Sequence, residues 1–126
     1  MTSAHAPRSA VIGLGSMGLG MALTMARKGL SVTGFDINPD AVAKLTQGGG
    51  TGCNNITEAA TGCDIVVAVV VNAAQTDAVL FGEGGAAMAM ARGGVIISSA
   101  TMAPEDARRF AEKAKGLGLH YLDAPI

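Results

Sequence analysis

Charge is scarce and evenly divided. The 126 residues carry nine Lys and Arg against ten Asp and Glu, a formal net charge of −1, scattered without a basic stripe. A chain so balanced has no electrostatic footprint for nucleic acid or an anionic membrane surface, so a small-molecule partner is favoured. Long apolar runs are also missing. The longest, from Ile65 to Val71, falls far short of the ~20 residues a membrane span needs. The opening MTSAHAPRSA has no apolar stretch ahead of a cleavage site, which leads to the expectation of a cytoplasmic protein. Two cysteines, Cys53 and Cys63, stand too far apart for a zinc knuckle or a C-x-x-C redox pair. They are read as free thiols in a reducing compartment. No repeat, low-complexity tract or linker divides the chain. Residues 1–7 are expected to form a flexible tail in which His5 is incidental, and residues 8–126 to form one domain.

Glycine, in contrast, is abundant. Eighteen residues are about twice the average share of ~7%, with no three-residue period to suggest collagen. Each cluster therefore needs a local explanation. Strand-length hydrophobic runs recur as SAVIGLG (9–15), LSVTGFD (30–36), DIVVAVV (64–70), GVIISSA (94–100) and LHYLDAP (119–125), most of them apolar on both faces as strands covered by helices on both sides must be. Between them lie helix signals. Asn38 is placed to cap a helix with Pro39 in its first position, ended by glycines from Gly48. Pro104, Glu105 and Asp106 open another, Lys113 and Lys115 suit its negative end, and Gly116 is expected to stop it, although Ala103 is a poor cap. TGCN and ITEAA, within 48–61, read as a short strand and a short helix with uncertain edges. Alternating strands and helices with right-handed crossovers predict an α/β fold, a doubly wound Rossmann-type and mostly parallel sheet of about six strands.

The chemistry-bearing stretch is VIGLGSMGLG. Gly13, Gly15 and Gly18 fit G-x-G-x-x-G directly after the first strand and at the opening of a helix. Gly13 permits the turn, Gly15 allows backbone to approach a pyrophosphate, and Gly18 allows the helix to pack against the strand. Leu14, Ser16 and Met17 complete the loop that would hold phosphates at a helix N-terminus. The same pattern also describes a tight strand–helix turn with no ligand. Asp36 shifts the balance: it ends the second strand at nearly the ~20-residue spacing expected of the acid that binds the adenosine ribose. A carboxylate there accepts a ribose hydroxyl, whereas a phosphate on that hydroxyl would meet a like charge, costing about 4 kcal/mol per unit charge at ~4 Å and an effective dielectric near 20. NAD is predicted over NADP.

Ligands of open α/β sheets bind at the carboxyl ends of the strands. Val70 and Val71 stand where adenine or ribose could pack, followed by Asn72, Gln75 and Thr76 at a helix start. Asn72 reads equally well as a simple cap. Ser98, Ser99 and Thr101 precede Pro104, their hydroxyls available to a nicotinamide, to a substrate carboxylate, or to loop amides. Met17, Met21 and Met25, spaced i, i+4, i+8, are expected to form a core stripe. His120 starts the last strand without an acid or serine beside it in sequence.

IGLGSMGLGMA, GFD, ATMAPE and YLDAPI, in this order over residues 9–126, together resemble the β-hydroxyacid dehydrogenase family, which includes 3-hydroxyisobutyrate dehydrogenase and is related to 6-phosphogluconate dehydrogenase. The resemblance implies that Gly13 to Gly18 form the pyrophosphate loop and that Asp36 is the ribose acid. It also implies that Val70, Val71, Gln75 and Thr101 line the cofactor, with Ser99 and Thr101 near the substrate. The family's usual D-x-S-T-x-x-P is here SSATMAP, with Ser98 in place of the acid and Ala100 in place of the serine. VVNAAQT and SSAT are closer to the L-threonate dehydrogenase branch. In the family, D-A-P leads into a substrate-binding Ser-Gly-Gly, and a later helix supplies the catalytic lysine. Lys28, Lys44, Lys113 and Lys115 do not match that lysine. The resemblance thus implies an NAD-binding domain truncated before an all-helical C-terminal domain, part of an NAD-dependent oxidoreductase that transfers hydride from a small hydroxycarboxylate, a 3-hydroxy acid, and is a homo-oligomer when whole. The alternatives are a stand-alone NAD(H)-binding sensor and a 6-phosphogluconate dehydrogenase-like enzyme, the latter opposed by Asp36.

Overall fold

The structure, a computed structural model, describes residues 7–125. The first six residues of the expected tail, His5 among them, and Ile126 lie outside the described residues. In chain order the elements are β1 (Arg8–Ile12), α1 (Ser16–Arg27), β2 (Ser31–Phe35), α2 (Pro39–Gln47), β3 (Thr51–Gly52), α3 (Ile56–Ala60), β4 (Ile65–Ala68), α4 (Ala73–Phe81), a 3-10 turn at Ala87–Ala89, β5 (Val95–Ser98), α5 (Pro104–Gly116) and β6 (His120–Asp123). The strands form a six-stranded sheet in the order β3-β2-β1-β4-β5-β6, and every pairing is parallel. The expected doubly wound sheet is present.

The order in which successive strands are added reverses between β1 and β4, which are hydrogen-bonded neighbours in parallel register Ile12↔Ala68. This is the topological switch point, where the crevice of such a sheet opens. Alternating side chains feed two cores. On one face Val11, Val32 and Leu14 pack with Ala22, Ala41 and Leu45 of α1 and α2. On the other, Ala10, Ile12, Val66, Ala68 and Ile96 pack with Leu80, Ala114 and residues of α3. Both cores rely on small and aliphatic side chains, with Phe110 the largest that is fully buried.

Local signals explain most helix ends. Asn38 Oδ1 accepts from the Asp40 amide at 3.0 Å and Pro39 follows it, as expected. Asn72 caps α4 by accepting from the Gln75 amide at 2.9 Å. Asn55 repeats the device on α3, at 2.7 Å from the Glu58 amide. Gly116 does not stop α5; it is the last helical residue. The stop is Gly118, which takes φ +78°, while the Leu119 amide reaches back to the Ala114 carbonyl and the Gly118 amide to that of Lys115, closing the helix in a Schellman motif.

The methionine stripe is a second correction. The buried residues of α1 are Gly18 and Ala22, and Met25 packs at the edge of that core, while Met17 is 50% exposed. The close approach permitted by Gly18 rotates the helix so that its smallest residues face the sheet. The 3-10 turn at Ala87–Ala89 had no sequence signal. Cys53 and Cys63 are buried free thiols.

Candidate functional site: the crevice at the carboxyl ends of the strands

β1 ends at Ile12 because the chain turns at Gly13, whose φ of +100° lies in the region that favours glycine. A Cβ at Gly13 would also overlap the carbonyl of Val69 in the loop after β4, and one at Gly18 would overlap the Gly13 carbonyl. These two glycines therefore answer to packing within the protein. Gly15 does not. Its φ is −65°, and a Cβ there would meet nothing within 4 Å. The close approach that a glycine at this position allows faces open space, where a ligand's phosphates would lie.

Helix α1 begins at the next residue with Gly15 as its N-cap and no side chain capping it. The amides of Ser16, Met17 and Gly18 thus have no intrahelical acceptor, and the first turn carries no acid. The other helices treat this end differently. Asparagine caps α2, α3 and α4, and uncapped α5 has Glu105 and Asp106 in its first turn. The start of α1 presents oriented amides and the positive end of the helix dipole, an arrangement suited to an anion.

Asp36 follows β2 and reaches back over the loop. Its Oδ2 accepts from the Leu14 amide at 2.6 Å, and its Oδ1 from the Asn38 amide at 2.8 Å. The Gly13 amide donates to the Phe35 carbonyl at 3.0 Å. The end of β2 therefore holds the first two loop amides, and Leu14 also anchors its buried side chain in the core below. The donors left open are those further along, at the start of α1.

The expected residues after β4 and β5 come to the same edge of the sheet. Val70 is half-buried and Val71 is 77% exposed, an apolar surface at the switch point. Gln75 Oε1 accepts from the Val71 amide at 3.0 Å, which fixes the amide orientation and leaves its NH2 group as the available donor. Thr101 is exposed in the loop between β5 and α5. Ser99 is buried, and its Oγ donates to the Ala68 carbonyl at 3.0 Å, so its proton ties β5 to β4. Ser98 Oγ is fully buried with no hydrogen-bond partner among the described residues.

Tyr121 was not singled out from the sequence. Its ring packs edge-on against Phe110, centroids 6.3 Å apart, and its hydroxyl donates to Met102 Sδ at 3.8 Å. Burial pushes its pKa above the ordinary 10.0; the Ser98 hydroxyl opposes that shift and Asp123 adds to it. The Ser98 and Tyr121 hydroxyls are thus close neighbours without forming a hydrogen bond of good geometry. The alternation in HYLD was the one signal that Tyr121 faces α5. The reach of Asp36 to Leu14 had none, since the two are 22 positions apart.

No described lysine or histidine stands at this edge. Helices of a parallel sheet run opposite to the strands, so Lys28 at the end of α1, Lys44 in the second half of α2, and Lys113 and Lys115 in the last turn of α5 lie toward the amino ends. His120 starts β6. No cluster of three metal-ligating side chains occurs among the described residues, and no helix there is long and apolar enough to cross a membrane.

Residues 8–126 match the family described as the NAD binding domain of 6-phosphogluconate dehydrogenase. Among curated relatives, L-threonate dehydrogenase of Cupriavidus necator is 43% identical over 92% of this chain and 39% of its own length. The 3-hydroxyisobutyrate dehydrogenase of Pseudomonas aeruginosa is 33% identical over 93% of this chain and 39% of its own. The crystal structure of a 3-hydroxyisobutyrate dehydrogenase from Salmonella typhimurium superposes with a TM-score of 0.86 and 41% identity, covering 94% of this chain and 41% of that one. The chain thus spans about 39% of the length of the curated relatives it matches. A glycine loop, an uncapped first helix and an acid ending the second strand are what a dinucleotide requires, and the chain belongs to the family of NAD-binding domains named for 6-phosphogluconate dehydrogenase.

Proposed function

We propose that this chain supplies the cofactor site of an NAD-dependent dehydrogenase acting on a small 3-hydroxycarboxylate of the L-threonate or 3-hydroxyisobutyrate type. The observation that carries the reading is the pairing of the open, uncapped start of α1 with Asp36 at the end of the neighbouring strand. The amides of Ser16, Met17 and Gly18 bind the pyrophosphate, and the remaining lone pairs of Asp36 accept the adenosine ribose hydroxyls. Val70 and Val71 exclude water from the cofactor's flank. The Gln75 NH2 and the Thr101 hydroxyl orient its nicotinamide end, with Ser99 and Thr101 on the substrate side. When bound, NAD serves as hydride acceptor.

Substrate class follows from the names of the relatives, five of which are L-threonate dehydrogenases at 42–47% identity. A cytoplasmic location is supported by the two buried free thiols and homo-oligomerisation by the resemblance. No described lysine or histidine stands at the crevice to take the substrate's hydroxyl proton, and the 126-residue chain is expected to bind cofactor without turnover. Titration of NADH by its fluorescence tests the binding, and an NADH-production assay with L-threonate and 3-hydroxyisobutyrate tests the second half. Saturable NADH binding without turnover is expected. Absence of binding overturns the reading, and substrate-dependent NADH production by this chain overturns the claim of incompleteness.

A further inference from the structure

We propose that Asp36 is a positioning residue for the phosphate loop, holding it in its receptive shape before any cofactor arrives; the functional importance of that shape rests on the reading given above. One carboxylate bridges two backbone segments. Oδ2 takes the amide of Leu14, the residue between the first two motif glycines, and Oδ1 takes the amide of Asn38, the N-cap of α2. Charge-assisted bonds to backbone amides are the stronger kind.

Below, the Leu14 side chain is buried in the core, so the loop is gripped from both sides. The amides engaged by the end of β2 are those of Gly13 and Leu14, while the first-turn amides of α1 remain open. The division of labour lies within the loop itself: its first half is fixed to β2, and its second half is offered to the ligand.

The chemistry permits no simple substitute. Both bonds need acceptors, and only an ionised carboxylate supplies one on each branch. Asparagine keeps one oxygen but turns an NH2 group toward a backbone N–H, so one of the two bonds becomes a donor–donor clash. Two anchored oxygens also prevent the carboxylate from swinging aside. Exclusion of a 2′-phosphate is then enforced by a charge that cannot retreat.

A probe without a ribose separates this role from ribose recognition. Inorganic pyrophosphate, followed through the backbone amide signals of residues 13–18, is titrated into the wild-type chain and Asp36→Asn. If Asp36 acted on the ribose alone, removing its negative charge would leave pyrophosphate affinity unchanged or raise it. Positioning predicts the opposite sign, a loss of threefold or more. In ligand-free protein the Leu14 and Asn38 amides should exchange with solvent at least tenfold faster in the variant.

Should Asp36→Asn fail to fold, the wild-type chain alone decides. The Leu14 amide must exchange at least tenfold more slowly than those of Ser16 and Met17. Equal exchange, or pyrophosphate affinity that holds or rises in the variant, overturns the proposal. Neither readout requires NADH binding, so failure of the cofactor reading is seen separately in the NADH titration.

Discussion

Gly18, in the first turn of α1, lies against the carbonyl of Gly13 with no room between them for a Cβ. Gly15, midway between them in the motif, has open space at the corresponding place. The same residue type thus serves two ends, and substitution separates them. Gly18→Ala should destabilise the domain by about 1–3 kcal/mol through overpacking, read as a lower midpoint in urea unfolding. Gly15→Ala should cost less than about 1 kcal/mol yet weaken NADH at least tenfold, by roughly 1.4 kcal/mol. A Gly15→Ala variant that binds NADH normally would place the phosphates elsewhere.

Asn55 and Asn72 carry the same motif, each capping its helix while the residue three positions later accepts from the amide before the cap: Glu58 from Asn54 at 3.2 Å and Gln75 from Val71 at 3.0 Å. Asn55→Ala should cost about 1 kcal/mol. Asn72→Ala should cost a similar amount and also weaken NADH, because α4 follows β4 at the switch point whereas α3 follows the edge strand β3. Urea melts and NADH titrations of the two variants measure the difference.

Ser98 is the only buried side-chain polar atom without a partner among the described residues. Removing an unsatisfied hydroxyl, which leaves a methyl side chain, relieves a desolvation cost without breaking a hydrogen bond of good geometry. Ser98→Ala is therefore expected to be neutral or to raise stability by up to ~1 kcal/mol. A loss of more than that in chemical denaturation would mean the hydroxyl has a partner in solution.

Burial raises the Cys63 thiol above its ordinary 9.0, with Thr33 and Arg8 opposing. Burial, followed by Glu58, raises Cys53 in the same direction, and Tyr121 moves upward from 10.0. Each group is held neutral in the folded state more firmly than in the unfolded chain. The resulting stability is fully present below pH 9 and is lost as pH climbs through the folded-state values. Melting temperature should therefore fall as pH rises above 9, and Cys63→Ala should flatten that fall while lowering stability at neutral pH.

How much was legible follows from the range of each interaction. The strands were readable because a parallel sheet covered on both faces needs β-branched runs, and Asn38–Pro39 because a cap and its helix are adjacent in sequence. Asp36 was placed by spacing alone. Its grip on Leu14, the contact of Ser98 with Tyr121, and the meeting of Gly13 with Val69 join residues that only the folded sheet brings together. The methionine stripe misled because spacing reports which residues share a helix face, whereas the smallest residues decide how close that face comes to the sheet. Gly116 misled because two glycines flank Leu117, and the helix closes on the one at the C′ position, Gly118.

The central claim is that the end of β2 and the start of α1 form an NAD site which Asp36 makes selective. Parallel fluorescence titrations of the chain with NADH and NADPH test it most directly. A like charge held at the ribose predicts that NADH binds at least a hundredfold more tightly, or about 2.7 kcal/mol or more; equal dissociation constants would contradict it.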